Sequence, residues 1–360
     1  MADSVTLGGR APLIWTVLLT VLVMCIGPTL GYAPEFAGFL VFLPAAAAGV
    51  CTVRQTMWIS LWTAFVTICT VIVEPSAGLA ASLALAALSI GFGAFSVYLC
   101  GWRLRHVETA VRLQKAADAM QRHLLRSLPI HVGDTVLAGV HKALGDDVMT
   151  GGDVYDMVDS AHGVRVMIAD VQGKGLGALG AAVAVVTAFR EAAHTEASLV
   201  DVAEAMEQAV ELQNSYAIQT GESERFVTAV VLSLGPDRNM SMVNCGHPLP
   251  YLVGAEGVRR VDAGPADVPL GLGSLSGPRT TTRFPLDHGQ QLVLFSDGLD
   301  EGRSRDGTFF PLREHLTQLR STPADDLGRR LWEQLQEFTG HRQQDDTTVL
   351  TLCRDERRSI

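Results

Sequence analysis

Ile168-Ala169-Asp170-Val171-Gln172-Gly173-Lys174-Gly175 holds a strand, a turn and an acid within eight residues. The β-branched run that begins at 164 reads as a strand ending at Val171. The glycines then force a turn, and the alanine-rich stretch 176–194 behind them reads as a helix. Asp170 therefore stands at the end of a rigid strand, beside an open loop. Three more corners of the same kind occur. Gly151-Gly152-Asp153-Val154-Tyr155-Asp156 opens a strand, Leu294-Phe295-Ser296-Asp297-Gly298 closes one, and Gln344-Asp345-Asp346-Thr347-Thr348-Val349 opens the last. A single Asp-Gly is ordinarily only a turn. Four acidic corners in one domain form the oxygen donor set that a hard cation such as Mg²⁺ or Mn²⁺ takes. No His/Cys set with zinc spacing competes. Spacing puts the corners in one domain without showing that they meet.

Around these corners the pattern is mixed. Strands are predicted at 135–140, 154–158, 164–171, 226–234, 240–244, 291–295 and 347–352, and helices at 176–194, 199–217, 311–319 and 324–338. Strands grouped around long helices predict an α+β layered sandwich rather than βαβ alternation. Of six cysteines, Cys25, Cys51, Cys69 and Cys100 lie in apolar runs, and Cys245 and Cys353 are isolated. No CxxC pair occurs, so no disulfide framework is indicated and a reducing compartment suits the C-terminal part. Cys245, ahead of Gly246-His247-Pro248, reads as structural.

Towards the N-terminus the chain changes character. The mean hydropathy of the whole is +0.24, and residues 1–105 carry only Asp3, Glu35 and Glu74 against Arg10, Arg54, Arg103 and Arg105. That is a net +1, which leaves −11 of the overall −10 on the remainder. An acidic soluble part excludes nucleic acid as a partner. Four apolar stretches, 13–30, 36–51, 57–73 and 79–100, approach or exceed the ~20 residues that cross a bilayer. The second is short and interrupted by Pro44. The arginines fall before the first span, between the second and third, and after the fourth, so a four-span region 1–104 would leave the C-terminal domain in the cytoplasm. These spans contact membrane lipid, and their lack of charge argues against a transport pathway.

Residues 105–129 are charged and helical. His106, Ala110, Leu113, Ala117, Met120 and Leu124 repeat at 4-3 spacing, a short heptad seam, and Pro129 ends it. Such a helix either pairs with a second copy, giving a homodimer that passes a signal on, or packs on its own domain.

The motifs GGDVYD (151–156), IADVQGKGLGA (168–178), FVTAVV (226–231), NCGHPLPYLV (244–253), LVLFSDGLDE (292–301) and DDTTVLTL (345–352) occur in an order that resembles the metal-dependent protein phosphatases (PPM, type 2C-like), in the bacterial SpoIIE/RsbU branch. The resemblance covers about 120–355; the membrane part has no comparable match. It implies an α-β-β-α sandwich over 130–356, two antiparallel sheets flanked by helices, with two divalent cations (Mn²⁺ or Mg²⁺) at one end. It also implies that Asp170 bridges both metals, Val171 offers its carbonyl, Asp297 binds one metal and Asp345 the other, and Asp153 orients water, with Asp346 in support. Lys174 stands where the family usually has histidine and is a candidate for substrate phosphate. His247 is a candidate proton donor to the leaving group. The phosphate-holding arginine of animal relatives has no counterpart here. The departures Leu299-Asp300-Glu301-Gly302 and Pro311 touch no ligand. The helices 176–194 and 199–217 resemble ones that reposition in regulated relatives. The implied activity is hydrolysis of phosphoserine or phosphothreonine on a regulatory protein, an anti-sigma-factor antagonist. The alternative is a membrane receptor whose phosphatase-like domain only binds partners.

Overall fold

The computed structural model describes residues 11–30, 40–73, 78–143, 152–235, 239–262, 267–275, 277–342 and 345–354. They divide into two compact units, Met1–Leu113 and Gln114–Ile360.

The first unit contains helices α1 (Ala11–Leu30), α2 (Leu43–Val50) and α3 (Val53–Val73), and most of α4 (Gly78–Leu124). Two segments are long and apolar enough to cross a membrane, Val53–Val73 and Leu83–Thr109. Of the other two expected spans, α1 is a helix of 20 residues whose described side chains run from Pro12 to Leu22, and Leu40–Val50 is shorter. Pro44 explains the second of these. It sits in the first turn of α2, where proline starts a helix but cannot continue one. The eight residues of α2 rise only ~12 Å, against ~30 Å of hydrocarbon; residues 31–35 of the linker and 36–39 of the expected span lie outside the described ones. Packing in this unit runs opposite to a water-soluble bundle. Beside Ile59 and Val66, α3 buries Thr56, Ser60, Thr63, Thr67 and Thr70, while Trp58, Leu61, Phe65 and Ile72 face outward. The buried hydroxyls are satisfied by donating to carbonyls one turn back, Ser60 to Thr56, Thr63 to Ile59 and Thr67 to Thr63, and the Trp62 indole donates to the Thr20 hydroxyl at 3.0 Å. Small polar residues inside and large apolar ones outside is the arrangement that lipid favours.

No break separates the last apolar segment from the connector: α4 is one helix of 47 residues, about 70 Å long at 1.5 Å per residue. The side chains of Ala110, Leu113, Ala117 and Met120, most of the heptad seam, lie outside the described ones.

In the second unit, strands β1 (Ile130–Val132), β2 (Thr135–Lys142), β3 (Asp153–Ser160), β4 (Gly163–Val171), β5 (Val227–Leu234), β6 (Asn239–Cys245), β7 (Tyr251–Gly254), β8 (Gly257–Arg260), β9 (Thr282–Pro285), β10 (Gln291–Phe295) and β11 (Thr347–Arg354) build two antiparallel sheets. Their orders are β1-β2-β11-β10-β7-β8 and β3-β4-β5-β6-β9. Helices α5 (Leu176–Thr195) and α6 (Leu199–Thr220) cover the second sheet, and α7 (Asp297–Asp300), α8 (Leu312–Gln318) and α9 (Ala324–Thr339) belong to the first.

Period-2 alternation sorts the side chains into layers. On β4, Met167, Ala169 and Val171 pack under the helices while Val166 and Ile168 enter the space between the sheets. On β10, Leu292 and Leu294 face the other sheet and Val293 and Phe295 face α8 and α9. Both faces of the central strands are buried, which is why they read as unbroken apolar runs. The result is the α-β-β-α sandwich. The α6 helix is bounded by its sequence: the Ser198 hydroxyl accepts from the Val200 amide, and Gly221 closes it in the left-handed region.

Candidate metal centre

Strand register brings the acids together. Asp153, at the first position of β3, lies directly opposite Asp170 of β4, and Asp170 lies opposite Thr228 of β5. Opposed residues share a face, so both carboxylates point into the end of the inter-sheet gap. The first sheet answers from across it. Phe295 pairs with Val349, which sets Asp297 just past the end of β10 and Asp345 and Asp346 just ahead of β11. The Asp346 carboxylate accepts from the Gly152 amide at 2.9 Å, so the two sheets are laced together at the acidic end. Two glycines make the approach possible. A Cβ at Gly152 would lie 2.5 Å from both the Asp170 carboxylate and the Val171 carbonyl, and one at Gly298 would meet the Asp346 carbonyl at 2.0 Å.

The Asp153 carboxylate is held by the Thr348 hydroxyl at 2.7 Å, and the same hydroxyl lies 2.8 Å from Nδ1 of His141. Since the hydroxyl gives its proton to Asp153, His141 is the donor at Nδ1. Neither His141, on β2, nor Thr348 in this role is legible from the sequence; the Thr-Thr after Asp346 is the one signal.

Crowding shows in the ionisation of these groups. Burial pushes the Asp153 carboxyl up to about 7, the hydroxyls of Ser296 and Thr348 resist this, and the charges of Asp346 and Asp297 add to it. Burial, then the charges of Asp153, Asp297, Asp345 and Asp346, push Asp170 up to about 8. Asp297 is raised by burial and by Asp345. These carboxylates repel one another across a shared gap, the condition a divalent cation relieves.

Among the described residues no three acidic, imidazole or thiol groups close on one point as a finished cage would. Asp345 is instead turned towards Lys174, whose Nζ lies 2.9 Å from its Oδ1. Burial alone would lower the Lys174 ammonium, but the hydrogen bond to Asp345 and the charges of Asp345, Asp346 and Asp170 raise it. The donor chemistry nonetheless fits: Asp153, Asp170, Asp297, Asp345 and the Val171 carbonyl are all hard oxygen donors, and glycine cradles two of them.

One expectation reads differently in three dimensions. His247 is buried, its Nδ1 is 2.9 Å from the Thr228 hydroxyl, and burial pushes its ionisation down to about 4. At neutral pH such an imidazole keeps one ring N–H but lacks the acidic imidazolium proton a general acid gives up, so its place fits support of the Asp170–Thr228 row. The second acid of GGDVYD, Asp156, is buried away from this cluster against Arg190, 2.5 Å from its Nε. Arg225, which sequence reading passed over, donates through Nη1 to the Gln172 carbonyl at 2.7 Å and lies across the turn where Cβ atoms at Gly173 and Gly177 would collide with it. Cys245 is buried in the α5–α6 side of the core, its thiol pushed up to about 12 by burial; it is no nucleophile.

Two sheets between helices, with acids gathered at one end, define a phosphatase domain of the PP2C-like α+β class. The model of the SpoIIE family (Stage II sporulation protein E) matches residues 160–355, more than half of the chain, and the chain belongs to that family. The solved RsbU and RsbW domains of a Mycobacterium tuberculosis protein are similar at 26% identity and a TM-score of 0.52, over 63% of this chain and 61% of that one. The PP2C domain of SiaA from Pseudomonas aeruginosa has 22% identity and a TM-score of 0.56, over 69% of this chain and 97% of that one. The PP2C phosphatase domain with a fragment of the regulatory domain of SpoIIE from Bacillus subtilis has 17% identity and a TM-score of 0.50, over 61% and 63%. Comparison with curated proteins gave no match.

Proposed function

We propose that this chain is a membrane-anchored, metal-dependent protein serine/threonine phosphatase. It removes phosphate from phosphoserine or phosphothreonine on a regulatory protein of the anti-sigma-factor antagonist type. The observation that carries the reading is the opposition of Asp153 and Asp170 across β3 and β4, with Asp297, Asp345 and Asp346 close enough to raise Asp170 together. Family membership supports the phosphatase assignment, and the relative that carries RsbU and RsbW domains supports the substrate class.

Asp170, Val171, Asp297 and Asp345 would hold two divalent cations, Mn²⁺ or Mg²⁺, with Asp153 oriented beside them and Asp346 in support. Such ions supply Lewis acidity towards phosphate oxygens and activate water for in-line attack. The chain's own part is to aim that chemistry. Strands β3 and β4 fix Asp153 and Asp170, and Thr348, itself bonded to His141, holds the Asp153 carboxylate in one rotamer. The outward-facing tryptophan, leucine and phenylalanine side chains of α3 and its buried hydroxyls support a lipid anchor. A four-pass region, 1–104, would need α2 lengthened beyond its eight residues, and with it the arginine distribution puts the domain at 130–356 in the cytoplasm.

The test is phosphate release from a generic phosphoester by the full chain in detergent, with Mn²⁺ titrated and Asp170→Asn alongside. Metal-dependent release that the substitution abolishes is expected. A folded, metal-loaded protein that releases none overturns the enzymatic reading in favour of a binding domain.

A further inference from the structure

Lys174 is the side chain at the tip of the turn, flanked by Gly173 and Gly175, both in the left-handed region at φ +87° and +90°. Arg225 lies against the Gly173 and Gly177 side of that turn, with its Nη1 on the Gln172 carbonyl. The lysine is sent the other way, across the gap to the head of β11, where its ammonium meets Asp345 at 2.9 Å. Asp345 comes from the other sheet, so this ion pair spans the mouth of the acidic cluster. Divalent cations and ammonium groups seek the same carboxylate lone pairs, and both cannot contact Asp345 in the same geometry.

We propose that Lys174 is a resident counter-ion of the metal centre, holding Asp345 when no metal is bound and giving it up before a second divalent cation can bind there. The proposal rests on the metal-centre reading above. It divides the ligands into two sets. Asp170 and Asp153 are fixed on paired strands, and Asp153 is held by hydroxyl groups; neither has to release an ammonium before a first cation binds. Asp345 is ready only after the ammonium swings away, so the second binding step is the weaker and the more sensitive to salt. The side chains of the pair are about one third and one half exposed, 35% and 51%. An ion pair so placed is modest, and its displacement weakens the second step by about two- to five-fold. The freed ammonium then stands at the mouth of the site, where a phosphate ester would approach.

The experiment is a Mn²⁺ titration of the full chain in detergent after chelator treatment, following free Mn²⁺ by its paramagnetic resonance signal. Lys174→Gln is compared with Arg225→Gln, which removes the same charge from beside that turn, where its Nη1 donates to the Gln172 carbonyl, without touching Asp345. The weaker of two binding steps should tighten about two- to five-fold in Lys174→Gln and stay put in Arg225→Gln. In an Asp345→Asn background, Lys174→Gln should change nothing. An unchanged or weakened second step in Lys174→Gln overturns the proposal and leaves the metal centre standing. Equal tightening by both substitutions also overturns it, since diffuse charge would then suffice. If the unsubstituted protein binds no Mn²⁺ at all, the metal-centre reading itself fails, and the two failures are told apart in one titration.

Discussion

Asp153 and Asp170 face each other on adjacent strands, and in the metal-free protein burial and neighbouring charges raise their carboxyls to about 7 and about 8. In the unfolded chain both ionise near 4. A carboxyl whose folded value is raised contributes stability that is complete below its unfolded value and lost as pH rises through the folded one. Chelator-treated protein should therefore melt at progressively lower temperature from about pH 4 to about pH 8. Saturating Mn²⁺ should remove most of that decline by pairing the charges, and a flat metal-free profile would show that the acids do not crowd. Thr348 gives a second test at this scale. Its hydroxyl links His141 to Asp153, so Thr348→Val leaves the ligands present but lets Asp153 turn. By analogy with other supporting hydrogen bonds to metal ligands, metal affinity or phosphate release should fall about 10- to 100-fold, while circular dichroism stays unchanged. The aspartates were legible because each sits at the junction of an apolar run and a turn. Their supports were not, because His141 and Thr348 are brought together by pairing of β2 with β11, strands 207 residues apart at the contact.

At the scale of elements, α9 lies unusually close to its sheet, and glycine is the reason. A Cβ at Gly328 would stand 3.0 Å from the Cα of Gly139 and 3.1 Å from the Val349 carbonyl, so helix and strand backbones touch where side chains ordinarily keep them apart. In an exposed helix, Gly→Ala gains about 1 kcal/mol from propensity. Gly328→Ala is expected to do the opposite, lowering stability by about 1 kcal/mol as the helix lifts off β2 and β11. That corresponds to about 2–4 °C in Tm for a domain of this size, and a rise in Tm would refute the close-packing account. The long strands and all four larger helices of the second unit were readable from periodicity, to within one to three residues at their ends. The strands β1, β7, β8 and β9 were not predicted. They have three or four residues each, too few for alternation to register, and they lie at or next to the sheet edges, where tertiary pairing decides the conformation. The last apolar stretch and the connector, read separately in the sequence, form one helix. Gly101 and Arg103 change the polarity of the helix without interrupting its hydrogen bonding, so α4 continues through them.

For the whole molecule, charge and hydropathy divide the chain more plainly than any motif does. Nearly all the acidity lies C-terminal to residue 105, and the apolar side chains that face outward are concentrated in the helices before it. The number of span-length helices is less legible than the apolar stretches themselves, because composition does not report that Pro44 begins a helix instead of passing through one. The three apolar clusters of the second unit, under α5 and α6, between the sheets, and under α8 and α9, are built entirely from residues 124–352. Each sheet is closed on both faces by its own domain. Among the described residues, the acidic cluster likewise draws on nothing before residue 141. A chain beginning at residue 105 should therefore be soluble without detergent, show the mixed α+β circular dichroism of the sandwich, and retain Mn²⁺-dependent phosphate release within about a factor of ten of the full chain. A fragment that folds but releases no phosphate would show that the N-terminal apolar helices, or whatever acts on them, are needed to bring the carboxylates into their working arrangement. In that case the long helix α4 is the element through which they act, since it is the one that continues from one unit into the other.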